Sequence, residues 1–130
     1  MLIDLIENNT GNGSLIAINN SSIPFDIKRI FYIYDTNEQI RGNHGHKECS
    51  QLIICLKGIL YITTEYKFKT KTYILNNNKQ GLLLNPNEWI SFMPSTDAIV
   101  LVLCSHEYDK TEYINEYEEI SKIWTNDNII

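Results

Sequence analysis

The chain has 130 residues and a formal net charge of −5 at pH 7, which fits one domain with a single core. An apolar content of 43% with only six glycines and three prolines excludes disordered and fibrous classes. The acidic balance argues against a nucleic-acid-binding surface, because such surfaces need clustered lysine and arginine. We therefore expect one globular domain over residues 1–130.

The cysteines and the N-terminal segment bear on the cellular compartment. The three cysteines are an odd number without metal-site spacing, and Cys55 and Cys104 lie in apolar runs, where cysteine is usually a small buried hydrophobe. Residues 1–10 carry acids and no basic segment, unlike a signal peptide, and no apolar run is long enough to span a membrane. We expect a reduced, cytoplasmic protein with no nucleic-acid or membrane partner.

Short apolar segments separated by turn residues follow one another from residue 2 to residue 104. Many short strands at regular spacing are typical of an antiparallel sandwich or barrel. We therefore predict an all-β fold with a barrel over about 1–104. The predicted strands are 2–6, 14–18, 29–34, 51–56, 59–65, 68–75, 81–84, 89–92 and 98–104.

After residue 104 the spacing of the apolar residues changes from that of strands to that of a helix, because large apolar side chains recur there on one helix face. The pattern predicts a C-terminal helix over about 109–124, with Asp109 or Thr111 as its N-cap. We expect its apolar stripe to pack on the outside of the barrel rather than to form a cofactor site. The stripe consists of Tyr113, Tyr117, Ile120 and Trp124.

The stretch from Arg41 to Gly58, RGNHGHKECSQLIICLKG, contains the most informative pattern in the chain. Side chains two residues apart share one face of a strand, so His44 and His46 should point the same way. A single histidine in such a place is usually a satisfied core or surface residue, whereas the pair followed by Gln51 indicates a functional site. Imidazoles are well suited to moving protons.

Neighbouring polar residues extend this candidate site. Tyr32 or Tyr34 on the preceding strand can supply a hydroxyl for a proton relay or hold an enediolate, but the sequence does not show whether they face inward. Arg41 can neutralise a phosphate or polarise a keto oxygen, with a solvated loop charge as the alternative. The basic residues that lie close enough in sequence to bind a phosphate are Lys28, Arg29, Arg41 and Lys47.

The spacing of His44, His46, Gln51 and Gly58 resembles the first motif of the cupin barrels, in which HxH and an acid usually hold a metal. A second cupin motif places a third histidine where this chain has Ile90. A neutral amide lacks the charge that helps hold a divalent ion, and an isoleucine cannot coordinate one. We therefore expect no metal and no cofactor, and a metal-dependent cupin enzyme is the weakest alternative.

The order of the motifs resembles the dTDP-sugar 3,4-ketoisomerase family, which are small cupins that make 3-keto-6-deoxyhexoses. The similarity runs from about residue 13 to residue 119. It implies an isomerase, working as a homodimer, that converts dTDP-4-keto-6-deoxyglucose to its 3-keto isomer without a metal. The motifs that carry the resemblance are IPFDIKRIFYIYDT, RGNHGHK, QLIICLKG and HEYDKTEYINEYEE.

The resemblance also implies roles for individual residues. His44 is the expected base at sugar C3, and His46 with Tyr32 is expected to manage the proton that goes to C4. An aminotransferase acting on the 3-keto sugar, on the way to a surface polysaccharide, is the implied next step. We further expect Gln51 to hold His46 or a sugar hydroxyl. The expected substrate-binding residues are Arg41, Arg29, Gln51 and Lys47.

Three positions depart from the family pattern. Gly45 replaces the usual alanine between the histidines and should cost little, because it faces away from the pair. Asn12 stands where the family often has an arginine, and Ile90 follows Trp89 where the family commonly has a histidine. Asn12 and Ile90 support the main alternative, a non-catalytic cupin that binds a nucleotide sugar.

Overall fold

The computed structural model describes residues 1–127, which form β-strands and, near the C-terminal end, one α-helix. No helix within these residues is long and apolar enough to cross a membrane. The strands are β1 (Leu2–Asp4), β2 (Glu7–Asn9), β3 (Ser14–Ile16), β4 (Arg29–Ile33), β5 (Arg41–His46), β6 (Gln51–Lys57), β7 (Leu60–Tyr66), β8 (Lys69–Leu75), β9 (Gln80–Leu84), β10 (Trp89–Pro94), β11 (Ile99–Cys104) and β12 (Tyr113–Ile114), and the helix is α1 (Tyr117–Asp127).

Two five-stranded sheets build the domain, in the orders β1-β9-β6-β11-β4 and β12-β5-β10-β7-β8. The strands pair antiparallel throughout, and β2 and β3 form a separate hairpin near the N-terminus. Buried side chains from both sheets share one core. This jelly-roll arrangement confirms the predicted all-β cupin class, although the two sheets stay open instead of closing into a barrel.

Strand β6 shows why its sequence reads as a continuous apolar run. Ile53 and Cys55 face the shared core between the sheets. Leu52 and Ile54 point the other way, where side chains from the N-terminal segments cover them. A strand that is buried on both faces needs apolar residues at every position, so the simple alternation of a half-exposed strand is lost.

The tail differs from its predicted form, because α1 begins at Tyr117 and not near residue 109. Asp109 instead accepts a hydrogen bond from the Thr111 N–H at 2.9 Å and caps a short 3-10 turn. Tyr113 and Ile114 then pair with β5. The predicted helix start and N-cap are therefore wrong, because backbone pairing with a neighbouring strand overrode the helical spacing of the side chains.

Helix α1 packs on the outside of the second sheet, as the apolar stripe predicts. Ile120 and Trp124 are fully buried against Ile114, and the Trp124 indole N–H donates to the Asn87 carbonyl at 2.7 Å. The helix approaches β5 so closely that a Cβ on Gly45 would lie 2.7 Å from Ile120 Cδ1. The same Cβ would lie 2.8 Å from the Glu88 carbonyl oxygen, so an alanine here requires the neighbouring backbone to shift. Gly45 thus faces the helix and Glu88, away from the histidine pair, as expected.

Candidate active site

A cavity of about 390 Å³ opens between the two sheets and contains the first histidine of the pair. Its walls come from β4, β5, β6, β10 and β12, so each sheet contributes one side. Its lining combines apolar side chains with a few convergent polar groups, which is the usual make-up of a small-molecule site. The lining residues are Arg29, Phe31, Ile33, Arg41, Gly42, His44, Gln51, Ile53, Ile90, Phe92 and Tyr113.

A larger cavity, of about 530 Å³, lies elsewhere, between the N-terminal strands and the outer side of the first sheet. Its lining is mostly aliphatic, and its charged residues are Glu7 and Lys79. These two side chains pair with each other at 2.8 Å. The chemistry therefore points to the smaller cavity, where an imidazole and two guanidinium groups line the wall.

A β-bulge in β5 aims His44 into the cavity. The ladder between β5 and β10 pairs Ile90 with His44 and then Ser91 with Gly42, so Asn43 is the extra residue. Gly42 and Asn43 both have positive φ, at +88° and +54°. A side chain on Gly42 would also place its Cβ 3.0 Å from the Ile90 carbonyl oxygen. The local sequence RGN thus suits a bulge that re-aims the next side chain.

The structure brings His44 and His46 together, as the spacing predicts. Their ring centroids lie 5.0 Å apart with the rings nearly perpendicular. Burial lowers the pKa of His44, and a hydrogen bond with the Gly42 backbone acts in the opposite direction. Because an ordinary histidine pKa is about 6.5, His44 is predominantly neutral at pH 7 and can accept a proton.

His46 is more deeply buried than His44 and is not among the residues that line the cavity. Its two ring nitrogens are buried without a hydrogen-bond partner. Burial first, and then the nearby His44, lower the pKa of His46 to about 4. Gln51, expected to hold His46 or a sugar hydroxyl, does not hold His46, because neither ring nitrogen of His46 has a hydrogen-bond partner. The Gln51 side-chain N–H instead donates to Cys104 Sγ at 3.4 Å. A contact of Gln51 with a sugar hydroxyl stays a prediction.

Tyr113 lines the cavity, although its spacing in the sequence predicts a place in the helix stripe. Strand β12 places it opposite His46, and its ring centroid lies 4.6 Å from that of His46 and 5.2 Å from that of His44. Arg29 Nη1 donates to the Tyr113 hydroxyl at 3.4 Å. The signal that could have found it is the tail motif Y-x-x-T-x-Y-I-x-x-Y, which is more specific than helix packing requires.

Tyr32, the tyrosine expected beside the histidines, faces the other way. On β4 the cavity-facing residues are Arg29, Phe31 and Ile33, so Tyr32 lies on the opposite side of the strand with 64% of its surface exposed. Its ring stacks on Tyr34 at 5.8 Å. The expected proximity of Tyr32 to the histidines is therefore wrong for this chain. The run RIFYIY is apolar on both faces, which hid the register.

The basic residues separate into two that reach the cavity and two that do not. Arg29 and Arg41 line it, and the Arg29 guanidinium also lies 4.6 Å from the centroid of the Phe31 ring. Lys47 is exposed beyond the end of β5 and, contrary to expectation, does not line the cavity. Lys28, just before β4, is also exposed and does not line the cavity. None of the described lining residues is acidic. The cavity thus offers positive charge to an anionic ligand.

The residues around His44 do not form a complete metal-binding set. Ile90, in the place of the third cupin histidine, pairs with His44 in the ladder and is 3% exposed. Across residues 1–127, no cluster of three or more His, Cys, Asp and Glu side chains has an arrangement that could hold a metal ion. The donors that do line the cavity are better matched to hydrogen bonding and proton transfer.

Comparison with known proteins assigns a family. The model of the family described as FdtA: WxcM-like, C-terminal, matches residues 1–125. The chain belongs to this family. A curated relative, the TDP-4-oxo-6-deoxy-α-D-glucose-3,4-oxoisomerase of Aneurinibacillus thermoaerophilus, is 38% identical over 113 residues, which are 85% of this chain and 81% of the relative.

Solved structures of related proteins have the same fold over nearly the whole chain. A 3,4-ketoisomerase from Helicobacter canadensis has 38% identity and a TM-score of 0.91, with 96% of each chain covered. The sugar 3,4-ketoisomerase QdtA from Thermoanaerobacterium thermosaccharolyticum, in complex with TDP, has 32% identity and a TM-score of 0.93, covering 100% of this chain and 96% of the other. The family match, the curated relative and these structures confirm the resemblance to 3,4-ketoisomerases that the sequence motifs indicated.

Proposed function

We propose that this chain is a dTDP-sugar 3,4-ketoisomerase that converts dTDP-4-keto-6-deoxyglucose to a dTDP-3-keto-6-deoxyhexose through an enediol. The observation that carries the proposal is a neutral imidazole, His44, in a cavity with two guanidinium groups and no acidic lining residue among those described. The relatives are named for this reaction, and QdtA has been crystallised in a mutant form with TDP-4-keto-6-deoxyglucose.

His44 acts as the base in this proposal. It takes the proton from sugar C3, the C–H electron pair forms a C3=C4 bond, and the C4 carbonyl pair moves onto O4. The imidazolium then gives its proton to O4, which completes the enediol. His46 packs against His44 but does not line the cavity, so we assign it the positioning of the base and not contact with the sugar.

The arginines account for recognition of the nucleotide. Arg41 lies at the start of β5 with an exposed side chain that lines the cavity, and Arg29 lines the same cavity from the other sheet. Guanidinium groups bind phosphate oxygens with paired hydrogen bonds, so we assign the diphosphate to these two residues. Gln51 lines the cavity next to them, and we assign it a sugar hydroxyl.

We infer that the reaction needs no metal or other cofactor. Gln51 and Ile90 occupy the positions at which a cupin would carry further ligands, and neither side chain is suited to a divalent ion. Loss of turnover in EDTA that added Zn²⁺ or Mn²⁺ restores would contradict this inference.

A homodimer is the proposed assembly. The outer face of β4 exposes Ile30 by 60% and Tyr32 by 64%, and Tyr34 continues the patch after the strand at 59%. Contiguous exposed apolar surface of this kind is typical of association sites. We propose that this face meets a second copy of the chain, with exchange of N-terminal strands as one form of the contact. A solution mass equal to the 15.1 kDa monomer at micromolar concentration would contradict this assembly.

The cellular setting follows from the substrate class and the family resemblance. We propose that the enzyme works in the cytoplasm and supplies a 3-keto sugar to an aminotransferase whose product enters a surface polysaccharide. A measurement that bears on this is the accumulation of the 4-keto nucleotide sugar, with loss of the amino sugar, when the encoding gene is deleted.

One observation favours a second candidate function. Ile90 places an aliphatic side chain directly opposite His44, where the family commonly has a histidine. A cavity that had lost a group needed for turnover would still bind the nucleotide, which gives a non-catalytic nucleotide-sugar-binding cupin. Tight binding of dTDP-4-keto-6-deoxyglucose without any isomerisation would establish this alternative.

Proton NMR of dTDP-4-keto-6-deoxyglucose with the protein in D2O and EDTA tests the proposal. We expect a new 3-keto species that carries deuterium at C4. The same reaction in H2O retains the C4 proton, and its coupling to the C5 proton gives the gluco or galacto configuration. The matched control is His44→Asn, which keeps a hydrogen-bonding side chain but removes the base. A folded wild-type protein that binds the substrate and leaves it unchanged would contradict the proposed function.

A further inference from the structure

A tyrosine does lie beside the histidines, but it comes from the tail. Tyr113 lines the cavity, and its ring is within 5.2 Å of the centroid of His44 and 4.6 Å of that of His46. Tyr32 is 64% exposed on the far side of β4. Of the two tyrosines, Tyr113 is therefore the one whose hydroxyl can meet a sugar bound next to His44.

The hydrogen bond with Arg29 leaves the hydroxyl hydrogen of Tyr113 free. Arg29 Nη1 lies 3.4 Å from the phenol oxygen and is a donor only, so the oxygen accepts there. The phenol's own hydrogen remains free to point elsewhere, and the cavity is the space that the side chain lines. A phenolate left after proton transfer would lie beside the guanidinium and be stabilised by its charge.

His46, the other candidate for the second proton transfer, is less suited to it. Both of its ring nitrogens are buried, and it does not line the cavity. Burial holds its pKa at about 4, so at pH 7 the ring is a neutral imidazole with no acidic proton to give. A neutral ring there can position His44 and Tyr113 by packing, since its centroid lies 5.0 Å and 4.6 Å from theirs.

Resting on the proposed ketoisomerase function, we propose that Tyr113 is the general acid that protonates C4, with Arg29 stabilising the phenolate that results. In this step the C3=C4 electron pair takes the Tyr113 proton at C4, and the O3–H pair becomes the C3=O bond. The O3 proton passes to the phenolate, which restores Tyr113. His44 has already returned the C3 proton to O4, so every group ends as it began and the sugar is isomerised.

The variant Tyr113→Phe separates the two proton transfers in D2O. We expect deuterium to enter C3 of the remaining 4-keto substrate at a rate within about threefold of wild type, because His44 is intact. We expect formation of the 3-keto product to decrease by about 100-fold or more, since the acid is missing. His44→Asn should lose both the exchange at C3 and the product.

Tyr108→Phe is the matched control for the hydroxyl. Tyr108 also lies beside Arg29, with the guanidinium carbon 5.1 Å from its ring centroid, but it is 64% exposed and does not line the cavity. We expect this variant to exchange C3 and form product like the wild type. A loss in Tyr108→Phe equal to that in Tyr113→Phe would overturn the assignment, because it would trace the effect to the surroundings of Arg29.

The outcomes distinguish this inference from the proposed function. Wild-type product formation by Tyr113→Phe would overturn the role of Tyr113 and leave the ketoisomerase intact. Loss of both C3 exchange and product in a Tyr113→Phe protein that still binds TDP would also overturn it, since the phenol would then serve the base. Absence of product from the wild type would instead contradict the ketoisomerase itself.

Discussion

The two faces of β4 carry opposite kinds of surface. The inner face presents Arg29 to a cavity with a neutral imidazole and a phenol, whereas the outer face presents Ile30 and Tyr32 to solvent. Successive side chains of a strand point to opposite sides, so a shift of one residue in register would exchange these roles. Composition alone therefore does not locate the site, because Tyr32 and Tyr34, the tyrosines expected near the histidines, lie on the outer side and do not line the cavity.

Removal of His44, the proposed base, should produce the largest change on the inner face. We expect His44→Asn to reduce turnover by about 1,000-fold or more, which is within the range that general base catalysis contributes. Binding of TDP should change little, because the arginines are untouched. Turnover measured by NMR and TDP affinity measured by calorimetry check this, and a folded variant with full turnover would remove His44 from the mechanism.

The buried histidine should make stability depend on pH. Because the pKa of His46 is about 4 in the folded chain and about 6.5 when unfolded, the unfolded chain binds more protons between these values. Stability should therefore be complete above pH 6.5 and decrease as pH is lowered towards 4, by an amount on the order of 3 kcal/mol.

Urea denaturation at pH 7 and at pH 5 measures this pH dependence of the free energy of unfolding. The control is His46→Gln, which removes the titrating ring and should flatten the part of the curve that His46 causes. An unchanged curve in that variant would show that other groups, among them His44 with its own lowered pKa, account for the dependence.

The sequence predicted the strands and the histidine pair because those features depend on local pattern. The run LIICLK is apolar at every position before Lys57, and β6 is buried on both faces. The spacing of His44 and His46 needs only a strand to bring the rings to 5.0 Å. These properties follow from side-chain alternation, which requires no knowledge of distant residues.

The rest of the site depended on contacts between distant parts of the chain. Tyr113 joins the histidines because β12 pairs with β5, and its spacing from Tyr117 imitates a helix that begins only after it. The direction of Tyr32 required the register of β4 against β11, which a strand that is apolar on both sides does not specify. Both errors arose where tertiary pairing decided between two locally acceptable conformations.

A substitution on the side of β5 that faces the helix should have a smaller effect, on fold stability. We expect Gly45→Ala to destabilise the fold by about 1–3 kcal/mol, because the added methyl overlaps Ile120 Cδ1 and the Glu88 carbonyl. The double variant with Ile120→Val should recover part of the loss, since it removes the methyl that is overlapped. Additive losses in thermal or urea denaturation would contradict the proposed overlap.

A change on the outer face of β4 should give the smallest effect on turnover. Tyr32→Phe removes only a hydroxyl on the outer face of β4, which does not line the cavity of its own chain, so we expect turnover and C4 deuteration within about twofold of wild type. Tyr113→Phe, the same chemical change on the inner face, is the matched variant. If Tyr32→Phe instead blocked product formation, the outer face of one chain would have to supply a hydroxyl to the cavity of another, and the two faces would belong to one shared site.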